Sequence, residues 1–268
     1  MRRLLCFVFL ICCLSSPAAA QEPKLMVTVA TQFGFPIKDL AAADFTVTQD
    51  KAARAVQSAE YHSDPLVDVA LLLDTSEAGA QVRGDIEQIA ALFIDRLQPK
   101  EEMAVIGYAT SADLVQDFTS SKPLLRRAVA EFRYGNKPAV LDSIYAAVDG
   151  AFERSPGRRV LMVIGSGLDW RDRVKAAEVI EQARRNAVSV FAVSLVSDSD
   201  LEKITEQTAG LYYRGRQLKQ IQQVVENMSQ SFRGHYELAL PGPPLDTGKL
   251  KVEVRRLERP KIGYRIAR

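Results

Sequence analysis

The chain has 268 residues, 47% of them apolar and 25% charged, the balance of an ordinary globular protein, which excludes wholesale disorder. Its 35 Lys and Arg against 33 Asp and Glu leave a formal charge of +2, too little for a protein that holds nucleic acid by neutralising phosphates. A chain this long buries roughly 70–75% of the surface its unfolded form exposes and needs no covalent staples to fold.

Residues 1–20 read MRRLLCFVFLICCLSSPAAA. Two arginines, an apolar run from Leu4 to Leu14 and the small residues Ala18-Ala19-Ala20 before Gln21 have the pattern of a cleavable export signal, with cleavage expected after Ala20. The apolar run is too short to cross a ~30 Å hydrocarbon core as a helix, and no later run reaches ~18 apolar residues, so no transmembrane segment is predicted. Loss of Arg2 and Arg3 with the signal brings the 35 basic residues to 33, equal to the acidic count. All three cysteines (Cys6, Cys12, Cys13) go with it. The mature chain then has no disulfide, thiolate metal site or cysteine nucleophile, and is expected to be secreted or periplasmic.

From Lys24 to His62 three short alternating runs follow, LMVTVAT, DFTVTQD and ARAVQSAEYH; their period of two predicts strands. At Val67 the texture changes. VDVALLLD is a continuous apolar run, the mark of a strand buried on both faces, and a helix is predicted over Gln81–Leu97. EMAVIGYA and DLVQDFT read as a strand pair linked at Thr110-Ser111, then helices over Lys122–Phe132 and Val140–Arg154. RRVLMVIG is a second buried strand, followed by a helix over Arg171–Asn186 and the strand VSVFAVSL. A short helix (Asp200–Thr208), a strand LYYR and a helix over Gln217–Phe232 complete this region. Buried strands alternating with helices predict an α/β fold, a doubly wound, mainly parallel sheet. After Gly234 the strands HYELAL, KLKVEVRRL and IGYRIA return. Neither arm is long enough for a stable sheet by itself, so the two are expected to pair in one small β-sandwich. The expected organisation is a signal (1–20), an N-terminal arm (21–66), an α/β domain (67–233) and a C-terminal arm (234–268).

In such a sheet ligands bind beyond the carboxyl ends of the strands, which directs attention to Asp74-Thr75-Ser76-Glu77-Ala78 after the first buried strand. An Asp that ends a buried strand and is followed by x-Ser resembles the von Willebrand factor type A domain. So do Asp44-Phe45-Thr46-Val47-Thr48-Gln49-Asp50 in the first arm, Val140 to Tyr145, Val160 to Ile164, and the closing strands around His235 to Leu238 and Lys249 to Val254. The resemblance covers most of the mature chain and is to the bacterial exported variant. It implies a metal-ion-dependent adhesion site with the pattern D-x-S-x-S, a distant Thr and a distant Asp.

Here the pattern is depleted. Asp74 and Ser76 are retained, but Ala78 stands for the second serine, Pro138 for the threonine and Ser166 for the distant aspartate; no threonine occurs between Thr119 and Thr205. Mg²⁺ requires near-octahedral oxygen coordination, and Ala and Pro side chains supply no oxygen. The resemblance therefore implies a non-enzymatic protein-interaction or adhesion module with a degenerate metal site. It would bind a protein ligand through apical loops carrying Asp74, Ser76, Asn136, Ser166, Asp169 and Trp170. No cofactor is expected beyond weak Mg²⁺ or Mn²⁺ binding at Asp74 and Ser76.

Two other readings stand beside it. In one, a divalent cation still completes the site, with Asp169, and Asp142 beside it, as shifted ligands. In the other, Ser166 is a hydrolase nucleophile. A nucleophile elbow needs G-x-S-x-G, and Ile164 and Leu168 hold the glycine positions; the only imidazoles, His62 and His235, lie in the arms. Asp74 also reads as a carboxylate capping the turn and helix that follow it, and Asp169 as the cap of a helix beginning near Arg171. Lys251–Arg268, with seven basic and two acidic residues, reads as a solvated strand face, and Tyr212-Tyr213 as strand core.

Overall fold

The computed structural model describes residues 23–64, 66–167, 172–215, 218–245, 249–256 and 258–267. The segment read as an export signal (1–20) and the positions of Leu168, Asp169, Trp170 and Arg171 lie outside them. Among the described residues no helix is long and apolar enough to cross a membrane.

A six-stranded sheet forms the centre. Its strands are β5 (Val67–Asp74), β6 (Glu102–Tyr108), β7 (Ala112–Thr119), β8 (Arg158–Gly165), β9 (Val188–Ser194) and β10 (Tyr212–Arg214), in the order β10-β9-β8-β5-β6-β7. All neighbours are parallel except β6 and β7, which form an antiparallel edge pair. All eight residues of β5 are buried, because helices cover both faces. Val69, Leu71 and Leu73 of β5 and Val160, Met162 and Ile164 of β8 face one core with α2 (Arg83–Asp95), α3 (Lys122–Ala130) and α7 (Leu218–Ser231). Ala70, Leu72, Leu161 and Val163 face the other, with α4 (Val140–Gly150), α5 (Ala176–Arg185) and α6 (Ser199–Gln207). Successive side chains thus serve opposite cores, and the runs read as continuously apolar for that reason.

The arms supply two further sheets. β1 (Lys24–Ala30) lies between β11 (Gly234–Ala239) and β13 (Lys261–Ile266), and β11 also pairs with β4 (Ser58–Ser63), giving the order β13-β1-β11-β4. β2 (Phe45–Gln49) pairs with β12 (Leu250–Val254) and β3 (Ala52–Arg54). The two sheets enclose one core of Leu25, Val27, Phe45, Val47, Tyr236, Leu238, Val252 and Tyr264, with Phe45 edge-on to Tyr236 at 5.2 Å. The single strand expected over residues 53–62 is thus two, β3 and β4, one in each sheet. The chain crosses between them at Ala55 to Gln57, a change of partner that alternation cannot register.

The helices also differ at their ends. α2 starts at Arg83 after a separate turn, α1 (Glu77–Ala80). α4 stops at Gly150, and α5 starts at Ala176 with the Glu178 carboxylate accepting from Lys175 N at 2.8 Å; the helix therefore begins five residues after the expected start near Arg171. The sandwich sits close against the α/β unit. Thr28 Oγ1 donates to Ala209 O at 2.9 Å, and a Cβ on Gly263 would meet Gly210 O at 1.9 Å, so glycine is required at that contact.

Candidate functional site

β5 is the switch point of the sheet: the chain leaves it toward β6 and β7 on one side and returns to β8 on the other. Loops from β5 and β8 therefore part at its carboxyl end and leave a crevice. Asp74, fully buried, sits at its floor. Its Oδ1 accepts from Ser76 N at 3.0 Å and Ser76 Oγ at 2.6 Å. Its Oδ2 accepts from Ser166 N at 3.0 Å and Ser166 Oγ at 2.6 Å. Both serines are buried. Each oxygen thus takes one backbone and one hydroxyl donor, and one carboxylate ties the two loops together. Ser76 also caps α1, its Oγ accepting from Gly79 N at 3.2 Å, so the expected capping of the following turn runs through Ser76. A Cβ at Gly79 would come within 2.3 Å of Asp74 O and 2.7 Å of Oδ1; only glycine lets this turn close over the carboxylate.

The third loop, before α4, is joined to the first through the main chain. Gly135 N donates to Thr75 O at 2.9 Å and Glu77 N to Asn136 O at 2.8 Å. Asn136 takes a left-handed φ of 65°, tolerated by asparagine more than by most residues, and its side chain is exposed. Lys137 Nζ pairs with Glu77 Oε2 at 2.9 Å across the same two loops, both exposed. Thr75 Oγ1 donates to Tyr108 O at 3.0 Å, which fixes the loop to β6. Glu77 and Lys137 fall within the loops expected to form the apex but were not singled out there, nor was Thr75, and nothing in their spacing marks them.

Asp142 is engaged by the segment before α5. Its Oδ1 accepts from Arg173 N and Val174 N, both at 2.9 Å, and its Oδ2 from Arg173 Nε at 3.0 Å. Burial opposes its charge, but the Val174 N–H and the Arg173 N–H and guanidinium hold its carboxyl below the usual carboxylate value. In return Asp172 Oδ1 accepts from Leu141 N at 3.0 Å and Asp142 N at 3.1 Å. Asp172 thereby caps α4, whose own N-cap residue, Ala139, has no acceptor. Asp142 is thus a structural clamp between loops, while Asp169, expected beside it as a shifted ligand, lies outside the described residues.

The residues brought together do not fit an octahedral divalent cation. One carboxylate already accepts four hydrogen bonds, two serine hydroxyls point at it, and Ala78 and the buried Pro138 offer no side-chain oxygen. Among the described residues no group of three or more His, Cys, Asp or Glu could hold a metal. The crevice does not assemble a nucleophile either. Ser166 Oγ donates to a carboxylate, while His62 and His235 stack on each other at 5.6 Å in β4 and β11 of the sandwich. Tyr134, with the Arg83 guanidinium 5.1 Å from its ring centre, is pushed up to about 12 by burial and by the Glu87 carboxylate, and stays a phenol.

The sequence profile of the von Willebrand factor type A domain matches residues 68–227. The chain belongs to this family. Among solved structures, a von Willebrand factor type A protein from Catenulispora acidiphila superposes with a TM-score of 0.55 at 14% identity, covering 80% of this chain and 51% of that one. Proximal thread matrix protein 1 from the mussel byssus, with a zinc-occupied MIDAS motif, gives 0.54 at 15% identity, over 69% and 50%. A D319A mutant of the PilB minor pilin from Streptococcus sanguinis gives 0.51 at 10%, over 62% and 61%. This chain spans about half the length of the first two. At these identities the likeness shows the type A fold and no more. A comparison with curated proteins finds no match. Type A domains are in general protein-interaction modules rather than enzymes, and the crevice at Asp74 lies where this fold gathers its loops.

Proposed function

We propose that this protein is an exported, non-enzymatic adhesion or interaction module that binds a protein ligand at its apical loops without a metal ion. The reading rests on one observation: the Asp74 carboxylate is closed by four donors from Ser76 and Ser166. A carboxylate so satisfied has no lone pair left in need of a cation, and hydrogen bonds to charged acceptors are the stronger kind. Asp74, Ser76 and Ser166 then shape the apex rather than bridge to the ligand. Contact falls to the exposed Asn136 and the Glu77–Lys137 pair, and we add Asp169 and Trp170 on the sequence reading alone. We read residues 67–233 as the binding unit and the arms (21–66 and 234–268) as its mount, exported by the signal over 1–20 to the periplasm or beyond. Weak Mg²⁺ or Mn²⁺ binding at Asp74 is at most incidental in this reading.

The test is capture of partners from the cell envelope and medium by tagged protein, with and without chelator. Capture should survive chelation and be lost with Lys137→Glu or Trp170→Ala, a buried aromatic anchor being worth about 1–3 kcal/mol. Capture that requires Mg²⁺, or that both variants retain, would overturn the proposal.

A further inference from the structure

The chain passes between the sandwich and the α/β unit twice, from β4 to β5 and from α7 to β11. The two crossings touch. Asp64 N donates to Arg233 O at 2.6 Å, and Arg158 N, at the start of β8, donates to Leu66 O at 3.0 Å. This seam lies at the start of β5, the opposite end of that strand from Asp74. Three side chains meet in it. Arg158, with a side chain only 4% exposed, directs Nη1 to Asp64 Oδ2 at 3.0 Å and to His235 Nδ1 at 3.2 Å. Its Nε and Nη2 are buried without a hydrogen-bond partner. The same His235 Nδ1 lies 3.1 Å from Asp64 Oδ2.

One ring nitrogen cannot serve both contacts in a single protonation state. To accept from Arg158, Nδ1 must keep its lone pair, which puts the proton of the neutral imidazole on Nε2. To donate to Asp64, Nδ1 must carry a proton, and the Arg158 N–H then points at another N–H. The guanidinium stays charged in either case, and among the described residues Asp64 is its only ion-pair partner. The charged groups facing His235 come from two elements. The β4 segment presents Asp64 and also His62, whose ring stacks on His235 at 5.6 Å and whose Nε2 lies 3.9 Å from Glu60; β8 presents Arg158, on which Tyr61 of β4 acts. Burial, aided by Arg158 and His62 and opposed by Asp64, favours the neutral ring. Burial opposes the Asp64 charge too, but His235 and Arg158 hold its carboxyl below the ordinary value, so Asp64 stays an anion through the range in which histidine titrates.

We propose that Asp64, Arg158 and His235 form a pH latch between the two units: protonation at Nδ1 turns His235 from Arg158 to Asp64, displaces the guanidinium and loosens both crossings. The neutral ring keeps the latch closed, with Arg158 bridging β8 to Asp64 and to β11. The protonated ring sets two cations against one carboxylate in a buried seam. Arg158 side-chain nitrogens have no other acceptor among the described residues, and a buried cation that loses its partner is strongly destabilising. Local opening at the seam relieves it. The bonds that join the apical loops lie at the far end of β5 and are the same in both states.

Two NMR measurements on the whole protein test the latch. The first follows the ring nitrogens of His235 in nitrogen-15-labelled protein from about pH 8 to about pH 5. At the upper end the proton should sit on Nε2 with Nδ1 bare, and Nδ1 should gain its proton within the range. An Nδ1–H tautomer at the upper end, or a bare Nδ1 at the lower end, would overturn the proposal. The second measures amide protection factors of Asp64 and Arg158, with Leu71 and Met162 of the central sheet as the reference for global unfolding. As His235 titrates, protection at the seam should fall about tenfold or more beyond any change at the reference, and His235→Gln should abolish that excess. Equal changes at seam and reference, or an excess that the variant retains, would refute the latch. If His235→Gln does not melt like the wild type, the wild-type titrations decide: the seam must loosen at the midpoint of Nδ1 protonation, and midpoints about one pH unit or more apart refute the coupling.

Discussion

Replacing Asp74 by alanine separates a structural carboxylate from a metal ligand. The variant leaves Ser76 N–H and Ser166 N–H without an acceptor in a buried crevice and frees two serine hydroxyls. The hydroxyls can turn to other partners, whereas the two backbone donors are fixed by their loops. Each buried donor left unmade costs about 1–3 kcal/mol, so Asp74→Ala should lose roughly 2–6 kcal/mol, a large share of the ~5–15 kcal/mol that holds a domain together. Ser166→Ala removes one charge-assisted bond and should cost about 1.5–3 kcal/mol. Ser76→Ala should cost about 1 kcal/mol more than that, because it also uncaps α1.

The assay is urea denaturation followed by circular dichroism in the presence of EDTA, then repeated across a magnesium series. A competent site with Kd near ~10 µM would gain about 2.7 kcal/mol at ~1 mM Mg²⁺, and one near ~10 mM less than about 0.1 kcal/mol; the second outcome is expected. Asp74→Ala within ~1 kcal/mol of the wild type in EDTA would refute the structural account. A magnesium-dependent gain above ~1 kcal/mol that disappears in the variant would restore a metal site.

Three other outcomes follow from features away from the apex. Arg233 holds the buried Glu101 through two bonds of 2.6 Å, so Arg233→Met should cost about 3–5 kcal/mol in the same melts, and Glu101→Gln in the Arg233→Met background should restore part of it. Burial, aided by Arg158 and His62 and opposed by Asp64, lowers the His235 imidazole below its ordinary 6.5. The unfolded chain then binds that proton first, so stability is whole above pH 6.5 and falls as pH drops from there toward the folded value; His235→Gln should flatten the urea midpoint over this window. Because β1 pairs with both β11 and β13, deletion of residues 234–268 strips both its edges, and limited proteolysis should then cut within residues 24–63; protection of that stretch would contradict the pairing's role.

The α/β centre was legible because burial on both faces leaves an unmistakable mark. VDVALLLD and RRVLMVIG have almost no polar position to place against solvent, and they became β5 and β8 side by side. The arms were legible as strands but not in their sheet membership. Residues 53–62 alternate smoothly, yet Ala53 pairs with Thr48 in one sheet and Ala59 with Leu238 in the other. Period two records which face a residue takes, not which neighbour it keeps. The Asp50–Lys51 turn joining β2 to β3 uses two left-handed residues, φ 52° and 68°, without the glycine that usually announces them. The late start of α5 was hidden for another reason: Asp142 and Asp172 bind each other's segments from 30 residues apart, and no local signal reports a cap supplied in trans.

At the crevice the sequence showed where the chain departs from the pattern the resemblance implies, but not how Asp74 is held. A side chain at 166 lies within hydrogen-bond reach of Asp74 Oδ2. A carboxylate there would set two like charges near each other, a repulsion of about 4 kcal/mol at ~4 Å for an effective dielectric constant of 20, and a cation would be needed to hold the loops together. Serine reverses the requirement, since its hydroxyl and its N–H both donate to Asp74. In the reading proposed here, the one change removes a ligand and also the electrostatic reason for a metal. Ala78 and Pro138 then sit at an apex whose loops are joined by protein contacts, Ser166 to Asp74, Gly135 to Thr75, Glu77 to Asn136 and Lys137 to Glu77. On the same proposed reading, a surface assembled this way keeps its shape whatever the divalent ion concentration and recognises a partner by shape and rim charge instead of by a shared ion.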